Sequence, residues 1–322
     1  MEELEKALGE AAAFCAGFKI RLAAIQAAEG LERIKLLDDA VDAILVNDES
    51  KKRFLSLAGV VETLHKAIRP HPTANELSPE CTLLRVLAEK IRSITPPADI
   101  SDVMQQVERL LDRSIATEGY VIKDGDRLVD LSEIDFEALR KRFEKGHKRT
   151  EVEKLKAQIS RKLAQMVRLN RARIDFLEKF QAMIDEYNAG SVNVEEHFRR
   201  LVEFIERMKE EEARALAEQL TEEELAVFDL LTRPEMTLTA KEELAVKKVA
   251  QDLLGRLKKE KLILDWRKRQ QSRAAVRVCI EEVLDLLPRA YSPDTCREKC
   301  DGVYQHVYDS YWGADRGVYG AA

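Results

Sequence analysis

No run of about 18 apolar residues occurs anywhere in the chain, and its start, MEELEKALGE, is acidic and lacks an apolar signal core. Neither a membrane span nor an export signal is expected, and the expected location is cytoplasmic. Cysteines are few and odd in number. Cys15, Cys81, Cys279, Cys296 and Cys300 are scattered, which fits reduced thiols rather than a disulfide framework. Positive charge is not in excess either: 53 Lys and Arg face 59 Asp and Glu, so whole-chain electrostatics give no signal for nucleic acid or a membrane surface. Aromatics make up only 6 % of the 322 residues, and Gly (13) and Pro (8) are sparse. What remains is rich in Ala, Leu, Glu, Lys and Arg, the residues that lose least side-chain entropy in a helix. A mainly all-α fold of antiparallel helical bundles follows.

Catalytic parts are missing too. No G-x-x-x-x-G-K-[ST] loop exists; only Gly313, Gly317 and Gly320 cluster, at the chain end and outside a strand-to-helix turn, so ATP hydrolysis is not encoded here. Phosphodiester hydrolysis at a metal ion needs acidic residues at strand ends beside a lysine. The one strand signal, GYVIKDGDRLVDL, places Asp124, Asp126 and Asp130 in an exposed turn instead. Cys296 and Cys300 lie one helical turn apart with His306 following, but zinc sites favour tighter C-x₂-C knuckles, and these cysteines read as small hydrophobes. His65, His71, His147 and His197 have no nucleophilic partner in sequence and read as surface or helix-end residues.

What is present is helical punctuation. Apolar spacing predicts helices over about 2–29 and 31–46, the second with a stripe of Leu31, Ile34, Leu37, Val41, Ile44 and Leu45. A third starts near Asn47 or Asp48 and runs to Ile68, where RPHPT stops it. Ser78-Pro79-Glu80 opens a helix ending at the TPP of residues 95–97, and another covers about 100–116. Alternation around Asp124-Gly125 then predicts a short β-hairpin near residues 120–130, the seam between two subdomains. Thr150 with Glu153, Thr221 with Glu224 and Thr239 with Glu242 read as capping boxes. Leu155, Ile159, Leu163 and Met166 line one face. Leu177, Phe180, Ile184 and Tyr187 line the next, until Asn188-Ala189-Gly190; Phe198, Leu201, Ile205 and Met208 line a third. Final helices are expected over about 273–287 and 293–311. The domain reading is a helical subdomain over 1–117, hairpin and connecting helix over 118–149, a helical domain over 150–312 and a tail over 313–322.

Local charge is uneven. Residues 148–179 carry ten bases against four acids, and 256–277 nine against two, while 195–224 carry eleven acids against five bases. In LILDWRKRQQSRAAVRV, Trp266 stands beside Arg267 and Arg269, with Arg273 and Arg277 spaced four apart on one helix face. Tyr304, Tyr308 and Tyr311 follow on the last helix. Trp, Tyr and Arg dominate interface hot spots, so these eight residues are the expected partner interface. A second reading, from another class, has Arg161, Lys162, Arg168, Arg171 and Arg173 contacting phosphates of duplex DNA without reading bases.

The stretches DFLEKFQAMIDEYNAGSVNVEEHF, LTEEELAVFDLLTRPEMTLTAKEE, KLILDWRKRQQSRAAVRVCIEEVLDLLP and KCDGVYQHVYDSYWG resemble, in order and spacing over about residues 173–313, the C-terminal domain of type I restriction enzyme R subunits. The first half, from LEKALGEAAAFCAGF through NDESKKRFL, is similar to the helical region preceding that domain. The resemblance implies a subunit whose metal-dependent nuclease and ATP-driven translocase, with their ATP and Mg, belong to parts outside this chain. It also implies that the present residues dock on the modification methyltransferase, with the specificity subunit reached indirectly. No catalytic, cofactor or metal residue is carried over. The tail WGADRGVYGAA resembles the family's chain end, so the remaining parts are expected before Met1.

Overall fold

The computed structural model describes residues 2–68, 76–94, 136–233, 236–263, 265–313 and 316–319. The protein is mainly all-α, as expected. The anticipated helix over 100–116 and hairpin near 120–130 lie outside the described residues. Contacts divide the chain into two compact units, one from Met1–Lys162 with Phe180–Glu206, the other from Leu163–Lys179 with Arg207–Ala322.

In the first unit, α1 (Glu2–Gly17), α2 (Leu22–Ala27), α3 (Gly30–Ile44), α4 (Asp48–Ala67) and α5 (Ser78–Ile94) enclose a core that includes Leu8, Ala11, Val41, Ile44, Phe54, Val61, Leu84, Leu87 and Ile91. Helix α4 is opened by Asn47. Its side chain accepts from the Ser50 N–H (2.8 Å), while Ser50 Oγ accepts from the Asn47 N–H (3.3 Å). The α3 stripe is right in period but only half inside: Val41, Ile44 and Leu45 are buried, while Leu31 is 85 % and Ile34 52 % exposed.

The helix expected over 2–29 is two helices. Lys19 turns left-handed (φ 61°), its N–H donates to the Ala16 carbonyl (2.9 Å), and the Ile20 N–H donates to that of Cys15 (2.9 Å). This is the six-to-one and five-to-two closure that ends many helices, with buried Ile20 as its apolar contact. Glycine normally takes the left-handed place; an exposed lysine takes it here. Lys19→Gly is therefore expected to raise stability by up to about 1 kcal/mol, read as a higher denaturation midpoint. At Gly190 (φ 74°) the same closure ends a helix where the sequence signals it.

The unit also holds α6 (Phe136–Lys145), the first part of α7 (Lys148–Leu169), most of α8 (Ile174–Asn188) and the first half of α9 (Val194–Ala217). The capping box expected at Thr150 is absent, because Asp42 of α3 accepts from both the Thr150 N–H (3.0 Å) and hydroxyl (3.3 Å). Glu153 is instead buried between Lys51 (2.7 Å) and Lys156 (2.7 Å). Both lysines also reach Asp48, at 2.6 and 3.2 Å. Burial alone would raise the Asp48 carboxyl, but Lys156 and Lys51 hold it well below the usual carboxylate range.

In the second unit, α10 (Glu222–Thr232), α11 (Ala240–Arg256), α12 (Gln270–Leu284) and α13 (Pro293–Ser310) pack around Leu225, Leu231, Val246, Ala250, Leu253, Ile280, Val283, Val303 and Val307. The capping boxes at Thr221 and Thr239 are both present. Two short strands, β1 (Tyr311–Gly313) and β2 (Arg316–Gly317), pair antiparallel at the chain end. Gly317 is needed there, since a Cβ on it would sit 2.5 Å from the Ser310 carbonyl oxygen.

Candidate partner surface

Helix α11 loosens into a π-helical turn over Leu257–Lys261, and Asp265 then takes a left-handed conformation (φ 57°) that starts a single 3₁₀ turn over Trp266–Lys268. This reversal sends Trp266 inward and leaves Arg267, Lys268 and Arg269 at the rim. Trp266 is 0 % exposed; its indole N–H donates to the Tyr311 carbonyl (3.1 Å) and its ring meets Tyr308 edge-on (5.8 Å). Tyr311 is also buried, and its hydroxyl donates to Glu223 (2.6 Å). Trp266 and Tyr311, expected at the surface as partner contacts, are core residues, because each has its polar group satisfied inside the unit.

Around them runs a ladder of guanidinium groups over rings. Arg267 donates from Nε to the Tyr311 carbonyl (3.0 Å) and lies over Tyr308 (5.0 Å) and Trp312 (5.8 Å); its Nη2 has no hydrogen-bond partner among the described residues. Burial lowers the Arg267 pKa, opposed by the charge of Asp309. Arg273 donates to the Arg267 carbonyl (3.1 Å). Arg277 lies over Tyr304 (5.6 Å), pairs with Asp301 and donates to Glu281 (3.3 Å). Arg269 is exposed, Tyr304 and Tyr308 are half-buried, and Trp312, which the sequence reading did not single out as a contact, is 45 % exposed. The spacing of Arg273 and Arg277 thus does place them on one face, with Tyr304 and Tyr308 of α13 alongside.

The five residues proposed for phosphates are placed differently. Arg173 is 1 % exposed and clamped by Glu211 (3.1 Å) and Glu222; burial disfavours its charge, but Glu222 and Glu211 more than offset that. Arg171 pairs with Asp309, Arg161 is half-buried with Nε on the Ala157 carbonyl (3.4 Å), Lys162 is buried, and Arg168 is exposed. Arg173 and Lys162, expected to meet phosphates, are buried instead. Around Arg173 a buried lattice continues, which the sequence reading missed: Arg214 pairs with Glu211 (2.9 Å) and Asp229, and Asn170 donates to Asp229 (2.6 Å).

His306 is fully buried. The Tyr319 hydroxyl donates to the Leu169 carbonyl, so at 3.1 Å it accepts from His306 Nε2–H, leaving Nδ1 to accept from Ser310 (3.4 Å). Burial, with Arg171, pushes the His306 pKa down to about 3; in the first unit, burial followed by Lys156 pushes His197, stacked on Tyr187 at 4.3 Å, to about 4. Below about pH 6.5 the unfolded chain binds a proton at each of these positions and the native chain does not. Stability is therefore expected to fall on acidification from about pH 6.5 towards pH 4, by about 1.4 kcal/mol per pH unit for each histidine. Urea titrations at successive pH values check this, with a shallower slope expected for His306→Gln. Among the described residues no group of three or more His, Cys, Asp or Glu is placed to hold a metal ion, and no helix is long and apolar enough to cross a membrane. A groove in the first unit, floored by Phe143 stacked on Phe198 (3.9 Å), carries charges of both signs on its rim.

Residues 1–310 match the family model described as type I restriction enzyme HindI endonuclease subunit-like, C-terminal. The chain belongs to this family. Among curated proteins it is similar to one of Methanocaldococcus jannaschii provisionally named as the type I restriction enzyme MjaIXP endonuclease subunit, 24 % identical over 266 residues. That match covers 76 % of this chain but only 24 % of the relative, so the T1RH-like C-terminal chain spans about a quarter of the relative's length. No solved structure matches.

Proposed function

We propose that this chain is a non-catalytic assembly module of a type I restriction enzyme R subunit. It seats the nuclease and translocase parts of that subunit on the modification methyltransferase, and so serves defence against foreign DNA. ATP and Mg act in those other parts, and the specificity subunit is reached through the methyltransferase. The observation that supports this most is the α12/α13 face, where Arg267, Arg269, Arg273 and half-exposed Trp312 are gathered at the surface of a well-packed unit. Guanidinium forks beside an aromatic ring are the chemistry of protein interfaces rather than of bond-making. Size-exclusion chromatography of the chain mixed with its cognate methyltransferase tests the reading. Co-elution at micromolar concentration is expected; separate peaks contradict it.

A further inference from the structure

Among the described residues several arginines face a carboxylate: Arg171, Arg173, Arg199, Arg200, Arg214 and Arg256 each pair with an Asp or Glu. Arg267, Arg269 and Arg273 have no such direct pair among the described residues. The first two polar groups they find are backbone carbonyls, those of Tyr311 and Arg267, and Arg269 is exposed. Three guanidinium groups with no direct carboxylate partner among the described residues form a patch within seven residues, beside the exposed ring of Trp312, on a chain of net charge −6, and Arg267 feels the more distant charge of Asp309.

The size and surroundings of the patch select its ligand. Arg267 and Arg277 already lie over Tyr308, Trp312 and Tyr304, so these ring faces are engaged by cations and less free to stack on bases. Glu281, Asp301 and Asp309 stand on the same two helices, and Asp301 is bound to Arg277. A long polyanion such as a DNA strand would bring phosphates against these carboxylates. A short acidic stretch reaches the three arginines and stops. The planar fork of arginine also matches a carboxylate with two parallel hydrogen bonds, and exposed Arg269 has no side-chain hydrogen bond among the described residues.

We propose that this face binds an acidic segment of a protein partner, with Asp or Glu carboxylates held by Arg269 and Arg273 beside Arg267 and Trp312. The inference rests on reading the chain as an assembly module and names the chemistry its partner must present at this face.

Fluorescein-labelled hexaglutamate, titrated with the full chain at low salt and read by anisotropy, tests it. Binding is expected to weaken about tenfold in Arg269→Glu/Arg273→Glu and to be unchanged in Lys241→Glu/Arg289→Glu, two exposed positions elsewhere. Arg269→Glu alone, which disturbs no internal hydrogen bond, is expected to act in the same direction. No binding by the wild-type chain, equal losses in the two double variants, or tighter binding of a short DNA duplex through the same arginines would each overturn the proposal. The methyltransferase result is separable. If co-elution fails while hexaglutamate still binds through these arginines, the assembly reading falls and the carboxylate site stands. If co-elution persists in Arg269→Glu/Arg273→Glu with undiminished affinity, the carboxylate site falls and the assembly reading stands.

Discussion

Replacing Arg173 with alanine is expected to destabilise the chain by about 3 kcal/mol, because it removes the closest cation from the buried Glu211 carboxylate and leaves half-buried Glu222 without it. Arg173 sits where the 3₁₀ turn Arg171–Arg173 leads into α8 and holds Glu211 of α9 with Glu222 at the start of α10. Glu211 would keep Arg214 and, at 3.9 Å, Arg233, but Arg214 is also the partner of buried Asp229. Double replacement Arg173→Met with Glu211→Leu is expected to recover much of the loss, since well-packed apolar side chains often replace a buried ion pair without net cost. Chemical denaturation of the three proteins decides the matter. A single variant as stable as the wild type would mean that the lattice does not hold the unit together.

Trp266→Ala carries the second large effect, about 3–5 kcal/mol, as expected when the ring of a fully buried side chain is deleted from a packed core. The loss is chiefly a cavity among Tyr308, Tyr311 and the α12 residues, because the Tyr311 carbonyl keeps its second donor, Arg267 Nε. Trp266→Phe fills part of the space and removes only the N–H, for an expected cost of about 1–2 kcal/mol. A surface anchor behaves otherwise: its truncation leaves stability within about 0.5 kcal/mol and weakens only binding. The midpoint shift in urea, measured on the isolated chain, separates the two.

Helix starts were legible because Thr221 and Thr239 carry their own caps and the Glu three residues on, a local signal that no distant residue contests. At Thr150 the same letters failed, since Asp42 of α3 competes for the threonine and Lys51 and Lys156 for Glu153. Helix ends were legible at Gly190 but not at Lys19 or Gln219, which adopt positive φ without glycine. The apolar faces of α7, α8 and α9 emerged correctly from spacing alone, because all twelve of their named residues are buried. Charge was the least legible feature. The basic letters of residues 148–179 read as a solvated or DNA-facing row, yet Lys156, Lys162 and Arg173 are buried, Lys156 against Asp48 as well as nearby Glu153, and Arg173 against Glu211. The spacing of Arg273 and Arg277 set the two on one helix face, and the structure adds Tyr304 of α13 under Arg277. The sequence could not tell that Trp266 points inward and Trp312 outward, since that depends on the left-handed turn at Asp265.

Hydrogen exchange of the full chain, alone and with its cognate methyltransferase, tests the central claim most directly. An assembly module using the α12/α13 face predicts added protection in peptides covering residues 265–313, most of all around Arg267–Arg277 and Trp312. Unchanged exchange throughout, or protection confined to other helices, contradicts it.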